Sequence, residues 1–236
     1  MISYWFNLIF YKPLFNGLVF LYNIIPGHDL GFAIIILTAL IRFILWPLTN
    51  KGIKNQKILA KIQPQIEEVR KKLKDNKEEQ AKALMKIYAD NKINPLAGFL
   101  PLLIQIPIII ALWQVFLRIV DFNVVDLYSF ISAPTYIQMA FLGFIDLSKR
   151  NVVLAILAGA LQYFQTKMIM PPATASAKND FSSIMAKQML YMGPVISIVI
   201  FWSLPAALPL YWIVVTLLTL LQQYIHQNDR GSIKPN

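Results

Sequence analysis

The chain has 236 residues, of which 57% are apolar and only 14% are charged. Soluble domains average about 45–50% apolar and about 25% charged residues, so this composition excludes a disordered chain and indicates a membrane protein. Lys and Arg number 22 against 12 Asp and Glu, a net charge of +10. The chain has no cysteine and two histidines, which excludes disulfides, thiol nucleophiles and cysteine-based metal sites.

The N-terminal segment is apolar and aromatic from Tyr4 to Ile25, but Lys12, Asn16 and Asn23 interrupt it. Its start is not basic and no small-residue cleavage site follows, so we do not expect a secretory signal peptide. A helix lying in the outer membrane interface fits these interruptions better than a sixth membrane span does. The sequence alone leaves both open.

Five later segments have the apolar character of membrane spans, which need about 20 mostly apolar residues. We therefore predict an all-α integral membrane protein with a five-transmembrane-helix core, an outer interfacial helix and a cytoplasmic helical hairpin. The predicted segments are an outer interfacial helix 1–29, span 30–49, cytoplasmic hairpin 50–94, span 95–120, outer loop 121–151, span 152–170, cytoplasmic loop 171–189, span 190–204, span 206–225 and cytoplasmic tail 226–236. The fourth span is short, and a tight turn joins it to the fifth.

The distribution of positive charge orients these segments, because short cytoplasmic loops carry an excess of Lys and Arg. Residues 51–94 carry twelve basic and six acidic side chains, whereas residues 118–150 carry three of each. We therefore expect residues 51–94 and the C-terminus in the cytoplasm, and the N-terminus outside.

Residues 51–94 also show a helical pattern. Apolar side chains recur there at spacings of three and four: Leu59, Ile62, Ile66, Val69 and Leu73. The sequence 75–77 breaks the stripe before a second helix, which predicts an antiparallel helical hairpin outside the bilayer with a bend at Pro64. This hairpin is either a solvated element with no binding role or a docking surface for a partner or for lipid headgroups, and the sequence does not decide between them.

Arg42 is the residue most relevant to function, because it lies well inside a predicted span. A central arginine costs about 2.5–3.5 kcal/mol on insertion scales, and no span contains an Asp or Glu that would neutralise it. A water-filled cavity that attracts anionic groups is one explanation. The other is an arginine that extends to the interface or pairs structurally.

Other polar residues in the spans are candidates to line the same cavity. They are Thr38, Gln105, Gln162, Gln165, Ser197, Tyr211 and Trp212. Each alone is explained by an ordinary interhelical hydrogen bond, worth about 0.6 kcal/mol on average. Together with Arg42 they predict a polar groove.

Enzyme chemistry finds little support in the sequence. The spans lack a carboxylate pair, both histidines lie at span ends, and there is no phosphate-binding loop or metalloprotease motif. We therefore expect no enzyme activity, no catalytic residue, no metal and no cofactor. The basic segment also matches no nucleic-acid-binding module, so no direct nucleic-acid site is predicted.

Several motifs resemble the YidC/Oxa/Alb family of membrane protein insertases, and together they cover about residues 4–225. In chain order they are Gly31 to Thr49, Ile62-Gln-Pro-Gln-Ile66, Asn94 to Trp113, Met192-Gly-Pro194, Leu204 to Leu208 and Leu210-Tyr-Trp212. The resemblance implies a bacterial inner or plasma membrane protein with five core helices around a hydrophilic groove that is closed on the outside.

The resemblance also implies roles for individual residues. Arg42 matches the groove arginine of the family, and Thr38 and Trp212 match groove or substrate-slide positions. Gln105 falls in a family motif, and Gln162 is a weaker match.

From the resemblance we expect an insertase and chaperone that moves nascent hydrophobic segments into the bilayer. Its partners would be nascent membrane proteins and lipid, with the Sec translocon and the ribosome as further candidates. Two other functions remain open at this point: an anion channel or transporter, and a structural subunit of a larger membrane complex.

Overall fold

The structure is a computed structural model that describes residues 2–94, 100–120, 126–169 and 181–228, and these residues are mainly helical. The helices are α1 (Ile2–Phe6), a π turn (Asn7–Tyr11), α2 (Lys12–Ile24), α3 (Leu30–Ile44), α4 (Trp46–Lys72), α5 (Lys77–Asp90), α6 (Leu100–Val120), α7 (Val152–Ile169), α8 (Phe181–Ser203) and α9 (Ala207–Asn228). Two short antiparallel strands, β1 (Ala140–Phe141) and β2 (Ile145–Asp146), form a hairpin before α7. The prediction of a helical fold is confirmed except for this β-hairpin. Parts of the predicted span 95–120, the loops 121–151 and 171–189 and the tail 226–236 lie outside the described residues.

The N-terminal helix packs one face on the rest of the molecule. Phe15, Leu18, Val19 and Tyr22 are buried, and this face of α2 contacts α3. A proline is tolerated near the first residue of α2 because its missing N–H is not needed there. The continuous helical run from Ile2 to Ile24 covers the predicted Tyr4 to Ile25 segment except for its last residue. Its location at the membrane interface stays a prediction.

The predicted span 30–49 is divided in the structure. The axis bends by 69° between α3 and α4, at Leu45. The bend has a local cause in Pro47, because proline cannot donate to the preceding turn and its ring disfavours helical geometry in the residue before it. The helix predicted to be the cytoplasmic arm consequently begins at Trp46 instead of residue 50, and it continues through Pro64 without a break in the helix.

Helix α4 packs against α5 through the apolar stripe seen in the sequence. Ile62 and Ile66 are buried together with Ile93, which follows α5. Asn76 caps α5 by accepting a hydrogen bond from the Glu79 backbone N–H at 3.1 Å. The two helices therefore share one small apolar core, separate from the main core of the molecule.

The remaining long helices form the main core. Within it, α9 packs against α3 and α7, and α7 packs against α8. Gly159 permits the close approach of α7 and α8, because a Cβ there would overlap the Ile198 side chain and would lie 3.0 Å from the Pro194 carbonyl oxygen. Helix α8 begins at Phe181, well before the predicted 190, since polar residues in its first turns hide it from a hydropathy criterion.

The described helices differ in whether their apolar length matches the thickness of a bilayer. Helix α9 contains a stretch, Ala207–Ile225, that is long and apolar enough to cross a membrane by itself. Helices α3 and α4 reach that length and apolarity only when they are taken together as one bent pair. The apolar stretches Leu103–Ile119, Val152–Met168 and Leu190–Ser203 are shorter. The predicted five-span count therefore stays a prediction.

The segment 126–151 lies across one end of the helices. Asn16 accepts a hydrogen bond from the Tyr128 backbone N–H at 2.6 Å, and Asp29 accepts one from the Leu142 N–H at 2.8 Å. Its other end is held by a 2.8 Å bond from the Ala206 N–H to the Lys149 carbonyl oxygen. This segment therefore joins α2, the start of α3 and the α8–α9 turn.

Candidate functional site

Arg42 lies in the last turn of α3 and is partly buried. Its Nη2 donates a hydrogen bond of 2.5 Å to Thr219 Oγ1 on α9. The threonine hydroxyl donates its own proton to the Val215 carbonyl oxygen at 2.7 Å, so its lone pairs are free to accept from the guanidinium. Among the described residues, no carboxylate forms a salt bridge with Arg42.

Gln105 and Tyr211 form a second contact beside Arg42. Gln105 Nε2 on α6 donates to the Tyr211 hydroxyl on α9 at 2.6 Å, and Tyr211 is only 2% exposed. The Arg42 guanidinium is near enough to the Tyr211 oxygen for their charges to influence each other, but no described hydrogen bond joins the two pairs. The structure thus brings side chains from α3, α6 and α9 into one polar cluster, which we call the Arg42 cluster: Arg42, Gln105, Tyr211 and Thr219.

Thr38 lies one turn before Arg42, but its hydroxyl is used locally. The side chain is 1% exposed and donates to the Ile34 carbonyl oxygen at 2.6 Å within α3. This is the common way in which a buried threonine satisfies its donor in a helix. Thr38 is therefore buried where α3 packs on its neighbours, and it makes no described hydrogen bond to the Arg42 cluster.

Trp212 presents an unsatisfied donor. Its ring lies 5.6 Å from that of Phe201, centroid to centroid. Its Nε1 is buried and has no hydrogen-bond partner among the described residues. An unpaired buried N–H costs about 1–3 kcal/mol. A hydrogen bond from this N–H to a water or a carbonyl oxygen that reaches it is therefore favourable.

Gln162 contributes to a different contact. The Ser197 hydroxyl on α8 donates to Gln162 Oε1 on α7, which links the two helices near their closest approach. Gln165 is partly buried on the same helix. No described hydrogen bond joins this pair to the Arg42 cluster, so the single polar set predicted from sequence appears as two.

The structure adds a buried polar contact that sequence reasoning missed. Gln222 on α9 is 1% exposed, and its Nε2 donates to Thr49 Oγ1 at 3.0 Å and to Asn50 Oδ1 at the start of α4. Gln223 beside it is buried, and its Oε1 has no partner among the described residues. One pattern in the sequence does indicate a polar side on this helix: Thr216, Thr219 and Gln223 recur at spacings of three and four in an otherwise apolar segment.

Taken together, these residues place polar atoms along one side of α9, from Tyr211 through Thr219 to Gln222. The cationic end of Arg42 faces this side without a described counter-ion. Such an arrangement holds a fixed positive charge among neutral donors and acceptors. It is suited to transient attraction of anionic or carbonyl groups, because the positive charge and the neutral donors face the same side. Among the described residues, no group of side chains could hold a metal ion.

The chain is similar to known proteins over most of its length. The model of the family described as 60Kd inner membrane protein matches residues 20–232. A membrane protein insertase YidC of Geobacter sp. (strain M21) is 33% identical over 226 residues, which cover 94% of this chain and 38% of the relative. The membrane protein insertase YidC of Pelobacter propionicus is 34% identical over 224 residues, covering 94% and 39%, respectively.

A solved structure is also similar. It is described as an active YidC insertase crystal structure with the first transmembrane domain resolved, and it superimposes with a TM-score of 0.60 at 29% identity. The match covers 91% of this chain and 46% of that one. The chain thus spans less than half the length of these relatives.

Proposed function

The chain belongs to the 60Kd inner membrane protein family, and on that premise we propose that it is a membrane protein insertase and chaperone. It moves nascent hydrophobic segments into the lipid bilayer through a hydrophilic groove that contains Arg42. The observation that carries this proposal is the Arg42 cluster, in which a guanidinium bonded to Thr219 has no described carboxylate partner.

The proposed membrane arrangement has five spans, namely α3, α6, α7, α8 and α9. At 1.5 Å per residue, α6, α8 and α9 are about 32, 35 and 33 Å long and α7 about 27 Å, close to the hydrocarbon thickness of about 30 Å. Helix α3 is only about 23 Å long by the same measure. The bend after Ile44 therefore leaves a space on the cytoplasmic side that water can enter, next to Arg42.

The proposed topology places the N-terminus and segment 126–151 outside and the α4–α5 pair in the cytoplasm of a bacterial inner or plasma membrane. The net positive charge of residues 51–94 supports this orientation. The hydrogen bonds of segment 126–151 to α2, α3 and the α8–α9 turn support a groove that is closed on the outside.

Electrostatic attraction would bring the polar end of a client into the groove. A carboxylate 4 Å from a guanidinium gains about 1 kcal/mol in bulk water and about 4 kcal/mol at an effective dielectric constant near 20. That range is large enough to hold an acidic tail for a short time and small enough to release it. The unpaired Trp212 Nε1 and the amide of Gln105 add neutral contacts for a peptide backbone.

The hydrophobic segment of the client would then leave along apolar helix faces that the chain does not cover. Leu103 and Ile106 on α6 are exposed, as are Val195 and Val199 on α8. Transfer of apolar surface from water to lipid yields about 25 cal/mol per Å². This free energy drives the step, so the mechanism requires no nucleotide and no covalent bond change.

The α4–α5 pair is the proposed receiving surface, with its basic side chains directed to the cytoplasm. The ribosome and the Sec translocon are its proposed further partners. Thr38, Gln162 and the Gln222 contact act as structural supports of the groove in this proposal, since each is bonded within or between helices.

Reconstitution tests the function. The purified chain in liposomes should insert a small single-span protein with an acidic outer tail, giving a product whose tail is protected from added protease. Empty liposomes provide the control. Protection equal to that of empty liposomes would overturn the insertase proposal.

Thiol labelling tests the wet groove separately, because the chain has no native cysteine. The variant Arg42→Cys should react with a membrane-impermeant maleimide added from the cytoplasmic side. The variant Leu37→Cys is the matched control, since Leu37 is 8% exposed in the apolar core. Equal protection of both positions would contradict an aqueous groove.

A further inference from the structure

A second polar site lies at the opposite end of the molecule from the cytoplasmic hairpin, between the N-terminal helix and the C-terminal end of α6. The cleft has a volume of about 460 Å³, within the range of about 300–1,000 Å³ that small-molecule sites occupy. Its walls are mainly polar, and they include Ser3, Asn7 and Gln114. No part of the proposed insertion mechanism uses this cleft.

Two cations and one acid line the cleft. Lys12 comes from α2, Arg118 from the last turn of α6, and Asp126 from the following segment. The acid is already engaged, because Asp126 Oδ2 accepts a 2.8 Å hydrogen bond from the Tyr11 hydroxyl. The described charged residues that line the cleft are two cations and one acid, a net of +1 that a monoanion would balance.

Tyr11 keeps its proton and remains a donor to Asp126. Burial raises the pKa of the Tyr11 phenol, and the hydrogen bond and negative charge of Asp126 raise this pKa further. Asn7 and Tyr11 both belong to the π turn, and single π turns often accompany functional sites. The hydrogen bond between Tyr11 and Asp126 thus fixes the geometry of this wall of the cleft. Lys12 and Arg118 are the cationic groups that line it.

The surroundings of the cleft match a membrane surface. Tyr4 and Trp5 are 65% and 55% exposed, and such aromatic side chains favour the level of the lipid headgroups. Leu8 and Ile9 are exposed on the same helix, while Ser3 and Asn7, four residues apart, face the cleft. The helix therefore has its polar side toward the cleft and its apolar side open to lipid.

An apolar path leads away from the cleft along α6. Leu117 lines the cleft and is 47% exposed. Ile110, Ile106 and Leu103 are also exposed, and their spacing places them on the same helix face as Leu117. The stripe is about 21 Å long at 1.5 Å per residue, which exceeds the roughly 15 Å of hydrocarbon in one leaflet.

We propose that this cleft binds the phosphate headgroup of an anionic phospholipid of the outer leaflet, with Lys12 and Arg118 as its cationic contacts. Arginine matches a phosphate with two parallel N–H donors, and lysine adds a compact point charge. An acyl chain of the same lipid lies along the outer part of the exposed stripe of α6, at Leu117 and Ile110. The site requires the proposed membrane location of the N-terminal helix, but it does not require insertase activity.

Bound lipid tests this site directly. The chain is exchanged into nanodiscs of equal parts phosphatidylglycerol and phosphatidylcholine, released in mild detergent, and its retained lipids are counted by native mass spectrometry. The double variant Lys12→Gln/Arg118→Gln should lower the ratio of phosphatidylglycerol to phosphatidylcholine by about fivefold or more, since two charge-assisted contacts are lost. The control Lys149→Gln/Arg150→Gln removes the same charge from the outer segment and should keep the wild-type ratio.

An equal ratio in the double variant and the control would overturn the proposal. Inorganic phosphate distinguishes a lipid from a free anion: phosphatidylglycerol should stay bound when phosphate is added, and phosphate binding without any lipid enrichment would overturn the lipid assignment. A photo-reactive amino acid in place of Asn7, in an otherwise unaltered chain, should form an adduct with the mass of phosphatidylglycerol. An adduct with an acidic peptide of an inserted client instead would also contradict the proposal.

Discussion

Replacement of Asn16 by leucine tests how the outer segment is held. The side chain is 2% exposed, and it accepts from the Tyr128 N–H while its amide donates to the Asp126 carbonyl oxygen at 2.9 Å. A third bond, at 2.8 Å, goes to the Lys12 carbonyl oxygen within the same helix. Leucine has a similar size, so Asn16→Leu removes these bonds without leaving a large cavity.

The expected decrease in the free energy of unfolding follows from the hydrogen bonds that Asn16→Leu removes. Each ordinary hydrogen bond contributes about 0.5–1.5 kcal/mol, and a buried donor left unpaired costs about 1–3 kcal/mol. The two bonds to the outer segment, including the orphaned Tyr128 N–H, therefore give a loss of about 2–4 kcal/mol. At about 2–4 °C per kcal/mol for a chain of this size, the melting temperature in detergent should fall by roughly 4–16 °C.

Asn23→Leu is the matched control on the same helix. Asn23 makes one exposed hydrogen bond, from its amide to the Ser132 carbonyl oxygen at 2.7 Å, so its loss should cost less than about 1 kcal/mol. Thermal unfolding of both variants is followed by circular dichroism in the same detergent. An equal fall in melting temperature for the two variants would refute the assignment of Asn16 as the buried clamp of the outer segment.

Three further experiments test the α7–α8 contact, the Arg42 hydrogen bond and the charge of Asp146. Gly159→Ala should destabilise the α7–α8 pair and lower the melting temperature, and the added change Ile198→Ala should restore part of that loss; no restoration would show that the overlap lies elsewhere. Thr219→Val, which removes the acceptor of the Arg42 hydrogen bond, should reduce insertion in the liposome assay, whereas Thr216→Val should not; equal activity of both would contradict a positioning role. Hydrogen bonds from a lysine and a serine in the same turn lower the pKa of Asp146 from 3.8 to about 2. Its stabilising contribution is therefore complete above pH 4 and is lost as the pH falls toward about 2, and a carboxyl NMR titration with a midpoint near 4 would contradict this.

The helical elements could be predicted from the sequence because their signals are periodic. Spacing alone predicts the apolar stripe that contains Ile62 and Ile66, and both residues are buried between α4 and α5. The boundaries were less predictable. Hydropathy merged α3 with the start of α4, since it does not register the backbone effect of Pro47, and it shortened α8 because polar residues occupy its first turns.

The partners of polar residues could not be read from the sequence. Asn16 was interpreted as an interruption typical of an interfacial helix, yet it is buried against a segment more than a hundred residues away. The spacing of Thr219 and Gln222 shows that one side of α9 is polar, but it does not show which neighbouring helix that side contacts. Only the packing of α9 on α3 and α4 shows that they bond Arg42 and Thr49.

Arg42 itself was found from the sequence because a charge in an apolar span is conspicuous without any structure. Its partner Thr219 could not be predicted in this way, because a hydroxyl that pairs with arginine carries no opposite charge that would mark it in the sequence. The polar residues expected around it divide into the Arg42 cluster and the separate Gln162–Ser197 contact. That division depends on which faces of α7 and α8 pack together, which composition does not specify.

The most direct test of the central claim is the charge dependence of insertion. Two clients that differ only in an acidic or a neutral outer tail are inserted into liposomes that contain the wild-type chain, Arg42→Lys or Arg42→Glu. Arg42→Glu should lower insertion of the acidic client by about tenfold, equivalent to about 1.4 kcal/mol, and insertion of the neutral client by less than about twofold. Arg42→Lys should retain most of the activity with both clients, and an equal loss for both clients with Arg42→Glu would contradict the electrostatic role of Arg42.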